Sequence, residues 1–125
     1  MLVREAMVKG PITIGPDEAV IEAAKTIREK SIGSLIVTEK ENVLGIITER
    51  DLVRRVMAED DDPKTVKVRH VMSSPVISIS PEKDVIDAAQ LMKKRGIRRL
   101  VVMDGDKLVV YLHRTTWPET YAARR

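Results

Sequence analysis

Gly45-Ile46-Ile47-Thr48-Glu49-Arg50-Asp51-Leu52 is the stretch on which the reading of this chain turns. It passes from an apolar strand into the start of a helix. Gly45 permits close backbone approach near a strand end. Thr48 is a good helix cap, and Glu49 and Asp51 put acid in the first turn. The spacing predicts a helix from Thr48 to about Ala58. Free N–H groups at a helix start favour an anion, and the Thr48 hydroxyl can donate to a phosphate or ribose oxygen. Asp51 lies three residues on, on the same helix face. A carboxylate is a poor neighbour for a phosphate but a good acceptor for two ribose hydroxyls. Taken alone, the motif reads better as a plain N-cap with a carboxylate that complements the helix dipole.

The rest of the chain changes that balance. Slid on itself by 65 positions without gaps, the sequence aligns residues 3–53 with 68–118. Val3-Arg4 meets Val68-Arg69, and Ile12, Ile14 and Pro16 meet Ile77, Ile79 and Pro81. Val20, Ala23 and Ala24 meet Val85, Ala88 and Ala89, while Asp17 meets Glu82. Two copies are too few for a solenoid, so a pseudosymmetric pair is expected.

Each copy reads alike. Ile12-Thr13-Ile14 and Ile77-Ser78-Ile79 alternate as short strands. Gly15–Glu18 and Ser80–Glu82 are expected to open a helix, with Pro at its first position and acid in its first turn. Apolar residues then recur at helical spacing, and Gly96 ends the second helix. Strands at Leu35–Val37 and Val43–Ile47 follow, matched by Leu100–Met103 and Leu108–Leu112. The acidic run Glu59–Pro63 reads as a solvated linker rather than a metal site. The organisation expected is repeat 1 over 1–58, a linker over 59–66 and repeat 2 over 67–125, with a divergent tail from about 110.

Composition narrows the function. The chain has 125 residues, 43% of them hydrophobic and only 2% aromatic, with no Phe. Ile, Val, Leu, Ala and Met must therefore fill the core. The absence of Cys excludes disulfides, thiol catalysis and thiolate metal sites. His70 and His113 are isolated, which argues against a histidine metal site. Charged residues reach 33%, while Asn42 and Gln90 are the only side-chain amides. That balance suggests a thermophile. With no apolar run of membrane-spanning length and no signal-peptide pattern, the expected location is the cytoplasm, with no membrane partner. No Gly-rich phosphate loop, defensible Ser/His/Asp set or metal cluster is visible, so no enzyme activity is expected.

The duplicated β-α-β-β-α unit, with the Gly-x-x-Thr-x-x-Asp signature at Gly45–Asp51, resembles the cystathionine-β-synthase (CBS) domain over nearly the whole chain. The resemblance implies an α/β (α+β) fold in which two pseudosymmetric repeats pack through their sheets as one CBS pair. It implies a regulatory module without catalytic machinery of its own. Such pairs commonly bind adenosine nucleotides in clefts between the copies and associate into dimers. Inside a repeat of this kind the nucleotide reading of Thr48 and Asp51 prevails over the plain cap.

Carried onto this chain, the resemblance extends the site. Ile46 and Ile47 are expected to flank the base, with Thr48 and Asp51 at phosphate or ribose and Arg50 within reach of phosphate. Ile77, in the first strand of the other copy, maps to an adenine contact, and Arg98 to a phosphate contact. Arg98 and Arg99 alternate along a strand, so only one can face the cleft. Lys93, Lys94 and Arg95 are expected on an exposed helix end. No cofactor is required; the ligand expected is AMP, ADP or ATP.

The second copy departs from the signature. Its Gly, Thr and Asp slots hold Val110, His113 and Thr116. Its cleft is expected to bind weakly or not at all. Back-translating residues 109–121 one base out of frame permits Gly-Ile-Ser-Thr-x-Asp from position 110, which would restore the signature. The tail from about Val110 is thus open to reading as out of frame, and resequencing the gene around the codon for Val109 tests it.

The leading reading is a sensor that binds an adenosine nucleotide and transmits occupancy to an unknown effector protein or to the other subunit of a homodimer. A ligand-free interaction scaffold, S-adenosylmethionine binding and nucleic-acid binding are the alternatives. The last ranks low, since Tyr111, Trp117 and Tyr121 are the only aromatic residues and all lie in the divergent tail.

Overall fold

The computed structural model describes residues 1–113 apart from Met7, Gly10, Pro11, Glu41, Pro75, Arg98 and Asp106, with the side chains of residues 6, 8, 9 and 107–113 also outside the description. The chain forms two compact units, Ile12–Val76 and a second made of Met1–Pro11 with Ile77–Arg125.

In the first unit, β2 (Thr13–Ile14) runs parallel to β3 (Ser34–Glu39), which pairs antiparallel with β4 (Asn42–Thr48). Helix α2 (Val20–Lys30) covers this sheet through Val20, Ala23 and Ile27. Beyond β4 lie a short helix α3 (Glu49–Leu52), a π-helical turn over Val53–Met57 and the short helix α4 (Val68–Val71). The core combines Ile14, Leu35, Val37 and Ile47 with Val56, Val68 and Val71.

The second unit repeats the plan. Strand β5 (Ser78–Ile79), helix α5 (Val85–Arg95), β6 (Arg99–Asp104) and β7 (Lys107–His113) follow in order, and with β1 (Val8–Lys9) the sheet order is β1-β7-β6-β5. Strand β1 (Val8–Lys9) and the short helix α1 (Val3–Ala6) come from the start of the chain. The register of β6 on β7 is that of β3 on β4 shifted by the repeat: Val37 faces Gly45 and Val102 faces Val110. Even the irregularity recurs, between Val37 and Thr38 and between Val102 and Met103. Thus β7 keeps the repeat's register as far as His113; the tail in question beyond it lies outside the described residues.

The leading segment of each repeat packs with the body of the other. Val3 N–H donates to Lys83 O and Arg4 N–H to Pro81 O; Val68 N–H donates to Glu18 O and Arg69 N–H to Pro16 O. The four bonds are equivalent under the repeat. Val3 and Val68 are both fully buried, an apolar anchor of roughly 1.5–3 kcal/mol each.

This pairing moves the helix starts. Helix α2 begins at Val20 and α5 at Val85, not within Gly15–Glu18 and Ser80–Glu82. Pro16, Glu18, Pro81 and Lys83 spend their carbonyls on the incoming segments. The first helical donors are satisfied from afar as well, Val20 N–H by Val66 O and Val85 N–H by Met1 O. In α2 that supply stands in for a side-chain cap, which Ala19 does not provide, whereas in α5 Asp84 also accepts from Ile86 N–H at 2.8 Å. Gly96 closes α5 at φ 64, as its position predicts. Ser31 holds the matching left-handed position after α2, at φ 53.

The helix after Thr48 also differs from expectation. It is α-helical only to Leu52 and then widens: Ala58 N–H bonds Val53 O at 2.8 Å and Asp61 N–H bonds Val56 O at 3.1 Å, each spanning five residues. The wide turn sets Val56 in the core and sends Arg55 to the carbonyls of Val71 and Met72. No helix among the described residues is long and apolar enough to cross a membrane.

Candidate functional site

Strand β4 delivers Thr48 to the start of α3 in extended conformation, φ −121 and ψ 165. From there a reciprocal cap forms. Asp51 N–H donates to Thr48 Oγ1 at 3.1 Å, and Thr48 N–H donates to Asp51 Oδ2 at 3.0 Å. Two free helix-start donors are thereby used. Asp51 is only 7% exposed and is the one buried charged side chain among the described residues.

Its second oxygen faces two groups that the sequence reading did not include. Ser73 Oγ donates to Asp51 Oδ1 at 3.4 Å, and Arg55 Nε lies 3.8 Å from the same oxygen. Arg55 Nη1 also donates to Val71 O and Met72 O, at 3.2 and 3.3 Å. One guanidinium therefore ties the carboxylate to the backbone of residues 71–72. Arg55 was within reach of sequence reasoning, since it stands four residues after Asp51 on one helix. Ser73 left a fainter sign: it replaces Val8 at the matching position of the repeat.

The reason for Gly45 is close approach, made here by the chain itself. Ile46 N–H bonds Ser73 O at 3.0 Å and Ser73 N–H bonds Ile46 O at 2.8 Å. A Cβ on Gly45 would lie 2.6 Å from Ser73 O and 2.9 Å from Met72 Sδ. The matching pair in the other unit is Val8 with Tyr111.

The remaining expected residues are placed as follows. Ile46 is half-buried, whereas Ile47 is fully buried in the apolar core, where its side chain serves packing. Arg50 is exposed on the first turn of α3. Ile77 belongs to the second unit, is half-buried, packs on that unit's core and accepts from Val101 N–H. Arg98 lies outside the described residues, while Arg99 is half-buried at the start of β6. Thr48, Asp51 and Arg50 thus share one turn, to which the structure adds Arg55 and Ser73. Lys93, Lys94 and Arg95 are exposed at the end of α5.

A second polar cluster fastens α4. Arg69 Nε bonds Asp17 Oδ1 at 2.8 Å, and Lys67 Nζ and Glu39 extend the network at 3.8 Å each. The hydrogen bond from Arg69 holds the Asp17 carboxyl below its usual range, helped by the charges of Arg69, Lys67 and His70.

Comparison with known proteins gives consistent matches. The CBS domain pattern fits residues 3–58 and again 68–111. An uncharacterized protein of Methanopyrus kandleri is 46% identical over 100 residues, covering 78% of this chain and 51% of that protein. The CBS domain-containing protein YhcV of Bacillus subtilis is 34% identical over 107 residues, covering 86% of this chain and 76% of its own length. Among solved structures, the hexameric CBS-CP12 protein from bloom-forming cyanobacteria is similar with a TM-score of 0.86 at 32% identity, over 93% of this chain and 65% of the other. The chain spans about half the length of the Methanopyrus relative.

Proposed function

The chain belongs to the CBS-domain family as a tandem pair, and from that premise we propose that it binds an adenosine nucleotide at the Thr48–Asp51 turn. CBS pairs are usually regulatory or sensor modules, and we assign this one no catalytic step. In this reading Asp51 accepts the ribose hydroxyls, and Thr48 and Arg50 serve phosphate. Ile46 lines the base side, Ile47 being taken up by the core, and Ile77 and Arg98 are the second repeat's share. AMP, ADP and ATP are the ligands favoured. Arg50 and Arg98 favour a phosphate over S-adenosylmethionine, whose sulfonium is positive.

One observation carries the reading. A carboxylate is buried at a helix start that its own backbone shapes, in the repeat that bears the signature, while the other repeat holds Thr116 in that slot. Burying a charge is costly unless it is paired and hydrogen-bonded, and the chain makes that arrangement in the repeat that keeps the signature. Self-association is part of the proposal. The CBS-CP12 relative is hexameric, and Val53 and Met57 expose apolar side chains at 53% and 75%. A cytoplasmic homodimer acting on a separate effector protein is the setting expected.

A second reading, a ligand-free interaction scaffold, is favoured by the fact that both Asp51 oxygens already have partners within the chain. Calorimetric titration with AMP, with ATP and S-adenosylmethionine in parallel, decides between them. One AMP per chain, lost in Asp51→Ala, supports the sensor. Two per chain shows that the altered second repeat binds as well, and binding indifferent to Asp51→Ala overturns the assigned site. No heat with any of the three leaves the scaffold.

A further inference from the structure

Val102 faces Val110 as Val37 faces Gly45, so the pairing of β6 with β7 fixes position 110 as the second repeat's counterpart of Gly45. By the same offset of 65, positions 113 and 116 answer to Thr48 and Asp51. Several features change together at this point. The CBS pattern fits residues 3–58 of the first repeat but stops at 111 in the second, where the counterpart of residue 58 is residue 123. Tyr111, Trp117 and Tyr121, the chain's only aromatic residues, all follow. Pro118 stands in the slot of Val53, whose N–H donates to Glu49 O and Arg50 O, and proline has no such donor.

We propose that residues from Val110 onward are read one base out of the frame in which the second repeat is encoded, and that the in-frame product carries a second signature turn for an adenosine nucleotide. Setting the frame back by one base keeps the first two bases of each codon and borrows the third base of the codon before. At the apolar slots the borrowed base is immaterial. Positions 111 and 121 become Ile, Leu or Val whichever base is borrowed, because a Tyr codon begins TA. Position 117 becomes Leu, Met or Val, because the Trp codon begins TG. Position 118 becomes Ala without alternative, since the single Trp codon ends in G and a Pro codon begins CC. These are the slots of Ile46, Val56, Leu52 and Val53. Val56 is 4% exposed, and Leu52 packs on the same core. Apolar residues at 117 and 121 have the spacing of one helix face, and the shift removes the proline between them.

The signature slots need particular borrowed bases, and each has one available. The codons of Val110, His113 and Thr116 begin GT, CA and AC. Preceded by G, A and G they read Gly, Thr and Asp, and the codons of Val109, Leu112 and Thr115 can end in those bases. Free choice of a base can place one signature residue by accident. It does not account for the apolar slots, which no choice alters. The frame inference stands without the nucleotide reading. The second site rests on that reading, because it gives the restored turn the role proposed for Thr48 and Asp51.

DNA sequencing across codons 100–125, together with the intact mass of the chain purified from its natural source, tests the frame. The gene is expected to hold one more base near codon 109, and the mass to be that of the shifted tail. An uninterrupted gene whose product still has the shifted mass also supports the proposal, placing the shift in translation. An uninterrupted gene with any other mass overturns it. Calorimetry with AMP as the probe then compares the chain made with the restored base and the present one. Two AMP per restored chain are expected against one per present chain, falling to one when alanine replaces the restored aspartate at position 116. One per restored chain overturns the second site and leaves the frame standing. No heat from either chain overturns the nucleotide reading at both turns, while sequence and mass still decide the frame.

Discussion

Arg69 donates to Asp17 at 2.8 Å across 52 positions of sequence, and Arg4 makes the equivalent bond to Glu82 in the other unit. Each pair pins the leading segment of one repeat to the body of the other. The exchange is reciprocal, so neither repeat completes its fold from its own residues.

The buried anchors of these segments carry an equal share. Val3→Ala and Val68→Ala should each lower stability by about 2 kcal/mol, through lost burial and the cavity left behind. Urea denaturation of the two variants checks this. A cost below about 0.5 kcal/mol at either site would show that its segment is not integral to the fold.

The Asp17 carboxyl is held below its usual value of about 3.8, first by the hydrogen bond from Arg69 and then by the charges of Arg69, Lys67 and His70. A carboxyl depressed in the folded state stabilises above its unfolded value, and that contribution is lost as pH falls through the folded one. Wild type should therefore exceed Asp17→Asn in stability at neutral pH, with the gap closing only below the normal carboxylate range. Urea midpoints of both proteins from pH 7 down to pH 2 give the comparison. A gap that persists in acid would assign the effect to something other than charge.

Gly45→Ala should destabilise by about 1–3 kcal/mol, because its Cβ meets a backbone carbonyl rather than a side chain that can turn aside. Amide exchange should locate the damage at Met72 and Ser73. A neutral Gly45→Ala would mean that residues 72–73 do not lie against β4 in solution.

Ser31 sits in the left-handed region that Gly96 occupies in the other unit. Ser31→Gly should raise stability by about 0.5–1 kcal/mol, since glycine adopts that conformation without a Cβ penalty. A higher melting temperature is the expected readout, and a lower one would indicate that the Ser31 side chain is needed.

Thr48→Ala should cost about 1 kcal/mol by removing the acceptor for Asp51 N–H, and Thr48→Ser should restore most of it. Measuring AMP affinity alongside stability separates the cap from the ligand role proposed for the hydroxyl. A loss of affinity in Thr48→Ala far beyond its stability cost marks direct contact.

Much of this was legible in the sequence because it depends on local order. The alternation at Ile12–Ile14, the helical spacing of Val20, Ala23 and Ile27, the cap at Thr48 and the repeat that doubles them all rest on contacts a few residues apart. That Asp51 shares the helix start with Thr48 followed from its spacing; that its carboxylate closes a reciprocal cap came from the structure. The helix starts did not, because the donors of Val20 and Val85 are satisfied from Val66 and Met1. Nothing near Ala19 records that supply. The fate of Ile47 was equally hidden: strand alternation set it opposite Ile46, but only packing decided which of the two entered the core.

The sequence by itself determined the repeat, the order of strands and helices, and a carboxylate three residues past a capping threonine. These follow from periodicity and from short-range hydrogen bonding, which a linear pattern contains. Only the tertiary structure decided that each repeat's leading segment is exchanged, that Arg55 and Ser73 converge on Asp51, and that Gly45 makes room for Ser73 rather than for a ligand. The physical reason is that these contacts join residues far apart in the chain. Which distant groups meet is set by how the apolar faces within each unit close, and no local spacing encodes that closure.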